Sequence, residues 1–389
     1  MNSIISAIGP SASVQLMAQA KEMRKSDPTI IGLAGGEPDF DTPPRITLSA
    51  IRSLINGNTH YALGPGMLEL RAAIAQKLKS ENGIECSAEN ILITPGGKNA
   101  IYLAVRSILN HGEAAMILDP SWVSYEPIVL ASGGIVTKVK LEYSKNYEIT
   151  EEQLERTYTD NVKLLIINYP NNPTGRILHE HEASAIEAFL LRHPNVYLLS
   201  DEIYESIIFD KRKNISMASR SSVAERVITV NGFSKCAAMT GWRIGYMAAA
   251  KPVFDTAYKL YQHSLTCMNG FIQAGALAAF ECQEDVRKMV DTYRARRDMF
   301  VSMLNDIRGV ECKAPEGAFY AWVRFDMNGM NSNAVAQYLL EKAKVVGVPG
   351  VAYGEENACC LRFSFAADTE MVRESALRIK RAVEGMEAE

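Results

Sequence analysis

The feature that most constrains the fold is a set of four short apolar runs, at residues 115–119, 164–169, 196–200 and 227–231. Each is apolar at successive positions, not at alternate ones. A strand with one wet face alternates, whereas a strand covered on both faces does not. Helical patterns separate the runs, at 180–193 and at 99–109, where Ile101, Ala104, Val105 and Ile108 share one face. Strand–helix–strand alternation predicts an α/β fold with a mostly parallel central sheet flanked by helices. The pattern then changes. Residues 286–307 read as a long charged helix, 317–325 and 359–365 as strands, and 369–384 as a closing helix. The expected division is a large domain over 46–285 and a smaller α+β domain over 286–389, joined by a turn-rich N-terminal arm over 1–45. A chain of 389 residues has room for both.

Composition removes several classes of function. With 47% hydrophobic and 22% charged residues, the chain reads as an ordinary soluble protein. A net charge of −4 offers no attraction to nucleic acid or an anionic membrane. The basic runs Lys211-Arg212-Lys213 and Arg294-Ala295-Arg296-Arg297 are expected on solvated faces. Seven scattered cysteines, an odd number with no CxxC pair, read as reduced thiols and not as a disulfide or zinc framework. Cys359-Cys360 fall in an apolar, strand-like stretch and are expected in the core. Residues 1–10 lack a basic segment followed by an apolar one, and no run of about 20 apolar residues occurs. A cytoplasmic location is the expectation. His179 and His181 stand in His-Glu-His-Glu where a helix begins, so helix polarity is expected there and no metal.

The chemistry gathers after the strands. Pro120-Ser121-Trp122 follows the first run and Pro170-Asn171-Asn172-Pro173-Thr174-Gly175 the second. Asp201-Glu202-Ile203-Tyr204 follows the third and Gly232-Phe233-Ser234-Lys235 the fourth. The carboxyl ends of parallel strands open on one edge, where ligands of open α/β sheets bind. A Trp, an Asn, an Asp, a Tyr and a Lys are thus expected in one crevice. Gly96-Gly97-Lys98 precedes the helix at 99–109, and glycines before a helix leave backbone amides for a phosphate.

These motifs, in order, carry a resemblance. Gly-Gly-Glu-Pro-Asp-Phe (35–40), Tyr61 with Gly66 and Leu70-Arg71, Asn-Asn-Pro-Thr-Gly (171–175) and Asp-Glu-Ile-Tyr (201–204) are followed by Ser-Lys-x₃-Met-Thr-Gly-Trp-Arg-Ile-Gly-Tyr (234–246), Gly-Ala-Phe-Tyr (317–320) and Arg-Phe-Ser-Phe (362–365). The chain resembles the class I/II aminotransferases, enzymes of fold type I that use pyridoxal 5′-phosphate, and within them the bacterial-type aspartate aminotransferases. The resemblance makes the large domain the cofactor-binding one. It implies that Lys235 carries the cofactor as a Schiff base and moves protons, and that Asp201 pairs with the pyridine nitrogen. Asn172 and Tyr204 would bond the phenolic oxygen, and Trp122 would stack on the ring. Arg243, eight residues after the lysine, would clamp the phosphate with Gly97, Lys98 and Ser234. Tyr61 would reach the phosphate of a neighbouring subunit, which implies a homodimer with shared sites. Arg362 would grip the substrate α-carboxylate, with Asn172, Trp122 and Gly36 around it. One departure is Gly232, where many relatives carry a phosphate-binding serine.

The reaction so implied is a ping-pong transfer of an amino group from an L-amino acid to a 2-oxo acid. Lys98, with Ser13 of the arm, matches positions that face the distal carboxylate of a dicarboxylic substrate in that branch, which favours aspartate and glutamate. The same residues are compatible with aminotransferases for aromatic, sulfur or basic amino acids, and with carbon–sulfur β-lyases or oxidases of this fold. A transcription factor with an aminotransferase-like sensor would need a DNA-binding module ahead of Gly35, and the motif begins too early for one. A relative without the cofactor would have lost Lys235 or Asp201.

Overall fold

The computed structural model describes residues 3–388, apart from the side chains of residues 7, 12, 13, 387 and 388. After a short first strand, β1 (Ile31–Gly32), seven strands build the main sheet. They are β2 (Ile91–Thr94), β3 (Ala114–Asp119), β4 (Ile135–Lys140), β5 (Val162–Asn168), β6 (Tyr197–Asp201), β7 (Val227–Gly232) and β8 (Gly245–Ala248). Their spatial order is β2-β8-β7-β6-β5-β3-β4. All neighbours are parallel except β8, which runs antiparallel to β2 and β7. The four apolar runs are β3, β5, β6 and β7, and the sheet is mostly parallel, as expected.

Their apolar character follows from burial on both faces. Leu164 and Ile166 of β5 pack in one cluster with Ile101, Ala104 and Val105 of helix Gly97–Ile108. Leu165 and Ile167 pack in another, with Ile186 and Phe189 of helix Glu180–Arg192. Successive strand residues point to opposite faces, so a sheet wrapped by helices needs apolar side chains at every position. Ile166→Ala would remove a fully buried side chain and cost about 2–5 kcal/mol.

A second sheet follows. Its strands β9 (Val310–Cys312), β10 (Tyr320–Phe325), β12 (Val348–Pro349) and β13 (Cys360–Ser364) stand in the order β12-β13-β10-β9, all antiparallel, while β11 (Val345–Val346) pairs in parallel with β1. Helices Gln283–Asn305 and Thr369–Ala388 close over Phe300, Phe319, Phe325, Leu361 and Phe363. The arm is stitched to this sheet: the Leu33 amide donates to Val346 (2.9 Å), and the Ser364 amide donates to Leu33 (2.7 Å).

Two surface expectations are corrected. Lys211, Arg212 and Lys213 are exposed, but Arg296 and Arg297 are buried. Arg296 Nη1 donates to Asp39 (2.8 Å) and Nε to Thr369 (3.0 Å), and Arg297 forks onto Asp210 (2.6 and 3.0 Å). The helical period places both on the stripe that carries Tyr293, Phe300 and Leu304, which faces inward, so each guanidinium needs an acidic partner. Cys359 lies in the turn before β13 and is half-buried; only Cys360 belongs to the core. No helix of the described residues is long and apolar enough to cross a membrane.

Candidate active site

A single cavity opens at the carboxyl ends of β3, β5, β6 and β7. Trp122, Asn172, Asp201, Tyr204, Ser234 and Lys235 line it from the sheet side, with Gly97 at the start of helix Gly97–Ile108 and Arg243 from the turn before β8. Gly36 of the arm and Arg362 of β13 line it from the opposite side. The sheet edge brings together what the chain separates by more than a hundred residues.

Lys235 Nζ donates to the backbone oxygen of Gly36 (2.5 Å). Burial, helped by Arg243 and Arg362, pushes its amine down to about 8. A lysine so placed is deprotonated far more readily than one in water. Asp201 is the last residue of β6 and is 4% exposed. Its Oδ2 accepts from the Tyr125 hydroxyl (2.7 Å) and its Oδ1 from the Ile203 amide (3.2 Å). Among the described residues it forms no ion pair, and burial pushes it up to about 6. The next residue, Glu202, points away and is held by Ser200 and Asn214 (2.9 and 2.8 Å).

Arg362 is buried. Its Nη1 donates to Asn172 Oδ1 (3.0 Å) and its Nη2 to the Ala34 backbone oxygen (2.7 Å). The guanidinium lies 4.3 Å from the centre of the Tyr320 ring, and its Nε is buried without a partner. A fork fixed at both tips, with a donor to spare, suits a carboxylate. Asn172 is set by its own neighbour: its amide donates to Asn168 Oδ1 (2.9 Å). Tyr204 and Tyr320 share a hydrogen bond between hydroxyls (2.8 Å).

The anion cup is built of backbone. Helix Gly97–Ile108 starts two residues earlier than its sequence pattern indicates, because Gly96 takes φ +82° and turns the chain into it. The first amides of a helix have no intrahelical acceptor, and Gly97 and Lys98 supply them here. Gly245 packs directly beneath: a Cβ there would lie 2.6 Å from the Gly97 nitrogen. Gly232 pairs with Gly245 across β7 and β8, and a Cβ at 232 would lie 2.8 Å from the Gly245 Cα. The departure from serine at 232 thus has a steric reason, since two backbones meet at that point.

Two of the residues singled out in the sequence, Lys98 and Tyr61, do not line the cavity. Lys98 is exposed, and its ammonium lies 4.8 Å from the centre of the Trp122 ring. Tyr61 is 88% exposed. The side chain of Ser13 lies outside the described residues. His179, His181 and Glu182 bring ligand atoms within 4.8 Å of one another. However, both Glu182 oxygens accept from Arg176 (2.9 Å each), and His179 Nε2 meets Glu316 (3.1 Å), so these atoms are already partnered. Sequence reasoning missed Tyr125, Asn168 and Tyr320, which touch the site residues from other elements, and the backbone oxygens of Ala34 and Gly36. For Tyr320 a signal existed in Gly-Ala-Phe-Tyr; the two backbone oxygens leave none.

The chemistry such a cavity permits starts at the amine. A lysine of lowered basicity at a strand end, facing a backbone anion cup and a buried carboxylate, is the apparatus of an enzyme that holds a phosphorylated carbonyl compound covalently. Comparison with known proteins gives the family. The profile of aminotransferase class I and II matches residues 28–379. An aspartate aminotransferase of Musicola paradisiaca is 38% identical over 371 residues, 95% of this chain and 92% of that one. The structure of aspartate aminotransferase from Thermus thermophilus with maleate superposes with a TM-score of 0.92 at 34% identity, covering 98% of this chain and 99% of the other. That of an aromatic aminotransferase from Pyrococcus horikoshii gives 0.90 at 35%, covering 96% and 99%. The chain belongs to the aminotransferase class I and II family.

Its cofactor is accordingly pyridoxal phosphate, and the residues present fit that group. Asp201 is a buried carboxylate without a cation, which a protonated pyridine nitrogen supplies. The helix start presents amides, as a phosphate needs, and Gly96 and Gly245 beside it leave no room for a Cβ.

Proposed function

We propose that this enzyme transfers the amino group of aspartate- or glutamate-type dicarboxylic amino acids to 2-oxo acids by a ping-pong mechanism. The observation that carries this reading is the Arg362 fork, held on Asn172 and Ala34 across the cavity from Lys235, with its Nε unpartnered. For the distal carboxylate, support comes from Lys98, which forms no ion pair among the described residues. Partial desolvation, and then Arg243, lower its pKa, and an incoming anion relieves both. The Thermus relative, described with the dicarboxylate maleate, supports the same reading.

In this reading each residue acts at a stated atom. When bound, pyridoxal phosphate supplies an aldehyde that condenses with amines and a protonated ring that accepts the electron pair released at Cα. Arg362 and Asn172 hold the α-carboxylate and fix the direction of the Cα–H bond. Lys235 would take the Cα proton on Nζ and hold it for return to the substrate side or the cofactor side. Its lowered basicity keeps a neutral amine available near pH 8. Asp201, oriented by Tyr125, keeps the ring nitrogen protonated. Asn172 and Tyr204 would donate to the phenolic oxygen, Trp122 would cover the ring, and Ser234, Arg243, Gly97 and Lys98 would hold the phosphate. Gly36 closes the substrate side, and Ser13 completes the distal carboxylate site with Lys98.

Tyr61 belongs to a neighbouring subunit's phosphate site in a homodimer. Its 88% exposure, and its absence from its own cavity, support that placement. The enzyme is cytoplasmic, and its units are an arm (1–45), a large cofactor domain (46–285) and a small domain (286–389).

The test is to mix the cofactor-loaded enzyme with a panel of amino acids and follow the cofactor absorbance. Rapid conversion by aspartate and glutamate, with that preference lost in Lys98→Ala, is expected. Faster conversion by phenylalanine, methionine or lysine overturns the substrate assignment. A 2-oxo acid formed without any amino acceptor overturns the transfer itself.

A further inference from the structure

Away from the cavity, Cys359 and Cys360 form a vicinal thiol pair with their Sγ atoms 3.9 Å apart. The two differ in access. Cys359 lines a surface pocket with Arg324, Asp326 and Glu356, and Cys360 lies beneath it, 1% exposed. The Cys360 thiol, and then the nearby Arg324 guanidinium, favour the Cys359 thiolate. An accessible thiolate beside a second thiol is the arrangement of cysteines that oxidise reversibly. Four of the other five cysteines offer no such setting: burial raises the thiols of Cys86, Cys236, Cys282 and Cys312 above their ordinary value.

We propose that Cys359 and Cys360 are an oxidation site for hydroperoxides, closing to a vicinal disulfide that weakens substrate binding. The Cys359 thiolate attacks one peroxide oxygen; the S–O bond forms, the O–O bond breaks, and the leaving hydroxide takes up a proton as water. Cys360 Sγ then attacks Cys359 Sγ, the S–S bond forms, and the oxygen leaves with the Cys360 proton as a second water. Two thiols lose two electrons, and the peroxide gains them. Adjacent Cα atoms stand about 3.8 Å apart, closer than most disulfides allow, so the bridge is strained and readily reduced by small thiols.

The route to the active site is short. Cys360 and Arg362 lie on the same face of β13, the second strand of its sheet. The Cys360 thiol meets the Tyr147 hydroxyl, which accepts from Trp322 Nε1 (2.8 Å), and Trp322 is the cross-strand partner of Arg362. Drawing Cys360 toward Cys359 pulls on this set and moves the fork. The effect on binding rests on the α-carboxylate role proposed above for Arg362.

The experiment treats the cofactor-loaded enzyme with a small excess of hydrogen peroxide. Peptide mass analysis is expected to find the 359–360 segment lighter by two hydrogens, with dithiothreitol restoring them. A dicarboxylate inhibitor such as maleate, titrated by cofactor absorbance, should bind about tenfold more weakly to the oxidised enzyme and recover on reduction. Cys359→Ser should bind it normally and ignore peroxide. Oxidation at other cysteines with 359 and 360 unlinked overturns the site, and linkage with unchanged affinity overturns its effect. Arg362→Lys separates the readings: if it leaves affinity unchanged, the carboxylate assignment fails while the mass result still judges the thiol pair.

Discussion

On the sheet side of the cavity, Asp201, Asn172 and Lys235 sit at or just beyond the ends of strands from one sheet, and their supports are Asn168 of β5 and Tyr125, which opens the helix Tyr125–Ala131 after β3. On the opposite side, Arg362 and Tyr320 come from the second sheet, Ala34 and Gly36 come from the arm, and each reaches its partner across a boundary. The first wall is set by packing around one sheet, and the second exists only while three segments stay in register. In the proposed reading, proton transfer and the hold on the ring fall to the first wall. The grip on the α-carboxylate rests on the second, where a small relative shift of the segments changes fit.

That division is open to attack. Lys235→Ala should have the largest effect, a loss of about 10⁴-fold or more in kcat with every amine, read by single-turnover absorbance. A change confined to KM would break the comparison. Arg362→Ala on the other wall should raise KM by about 10²-fold or more, because the α-carboxylate loses a buried charged partner. Equal losses in kcat would merge the two walls.

Asp201→Asn sharpens the contrast through stability. The folded-state pKa of Asp201 is about 6, above its ordinary 3.8, so the folded protein binds the extra proton between those values. Stability contributed by the protonated form is present below pH 3.8 and lost as pH rises through 6. In thermal melts of cofactor-free protein, Asp201→Asn is therefore expected to be more stable at pH 7 by about 1–3 kcal/mol, and equal near pH 3.5. Its transamination should nevertheless be slower. Tyr320→Phe should have the smallest effect. Loss of its hydroxyl from Tyr204 is expected to shift the pH titration of the bound cofactor's absorbance by less than about one unit.

Much of the first wall was legible in the chain and less of the second. Strands buried on both faces declare themselves by continuous apolar runs, and the residues just past them are then placed by topology alone. Arg362 was found through its motif, but what fixes it was not: Tyr320 gave a motif without a role, and Ala34 offers only a carbonyl oxygen, which every residue possesses. Tyr125 was hidden because it lies 76 positions from Asp201, in a segment whose pattern reads simply as apolar. The buried pair Arg296 and Arg297 misled for a related reason. A cluster of charges resembles a surface until the helical period assigns it to the inner stripe and Asp39 and Asp210 arrive from elsewhere.

Gly232 and Gly245 have a consequence for how this enzyme can vary. Because their backbones touch, the floor of the phosphate cup admits no side chain, and much of its grip comes from main-chain amides that every genotype encodes alike. Mutational drift has little purchase on cofactor retention at that floor, while side chains that meet the variable part of the substrate can change. A lineage built this way can change the amines it accepts without relearning how to keep its coenzyme.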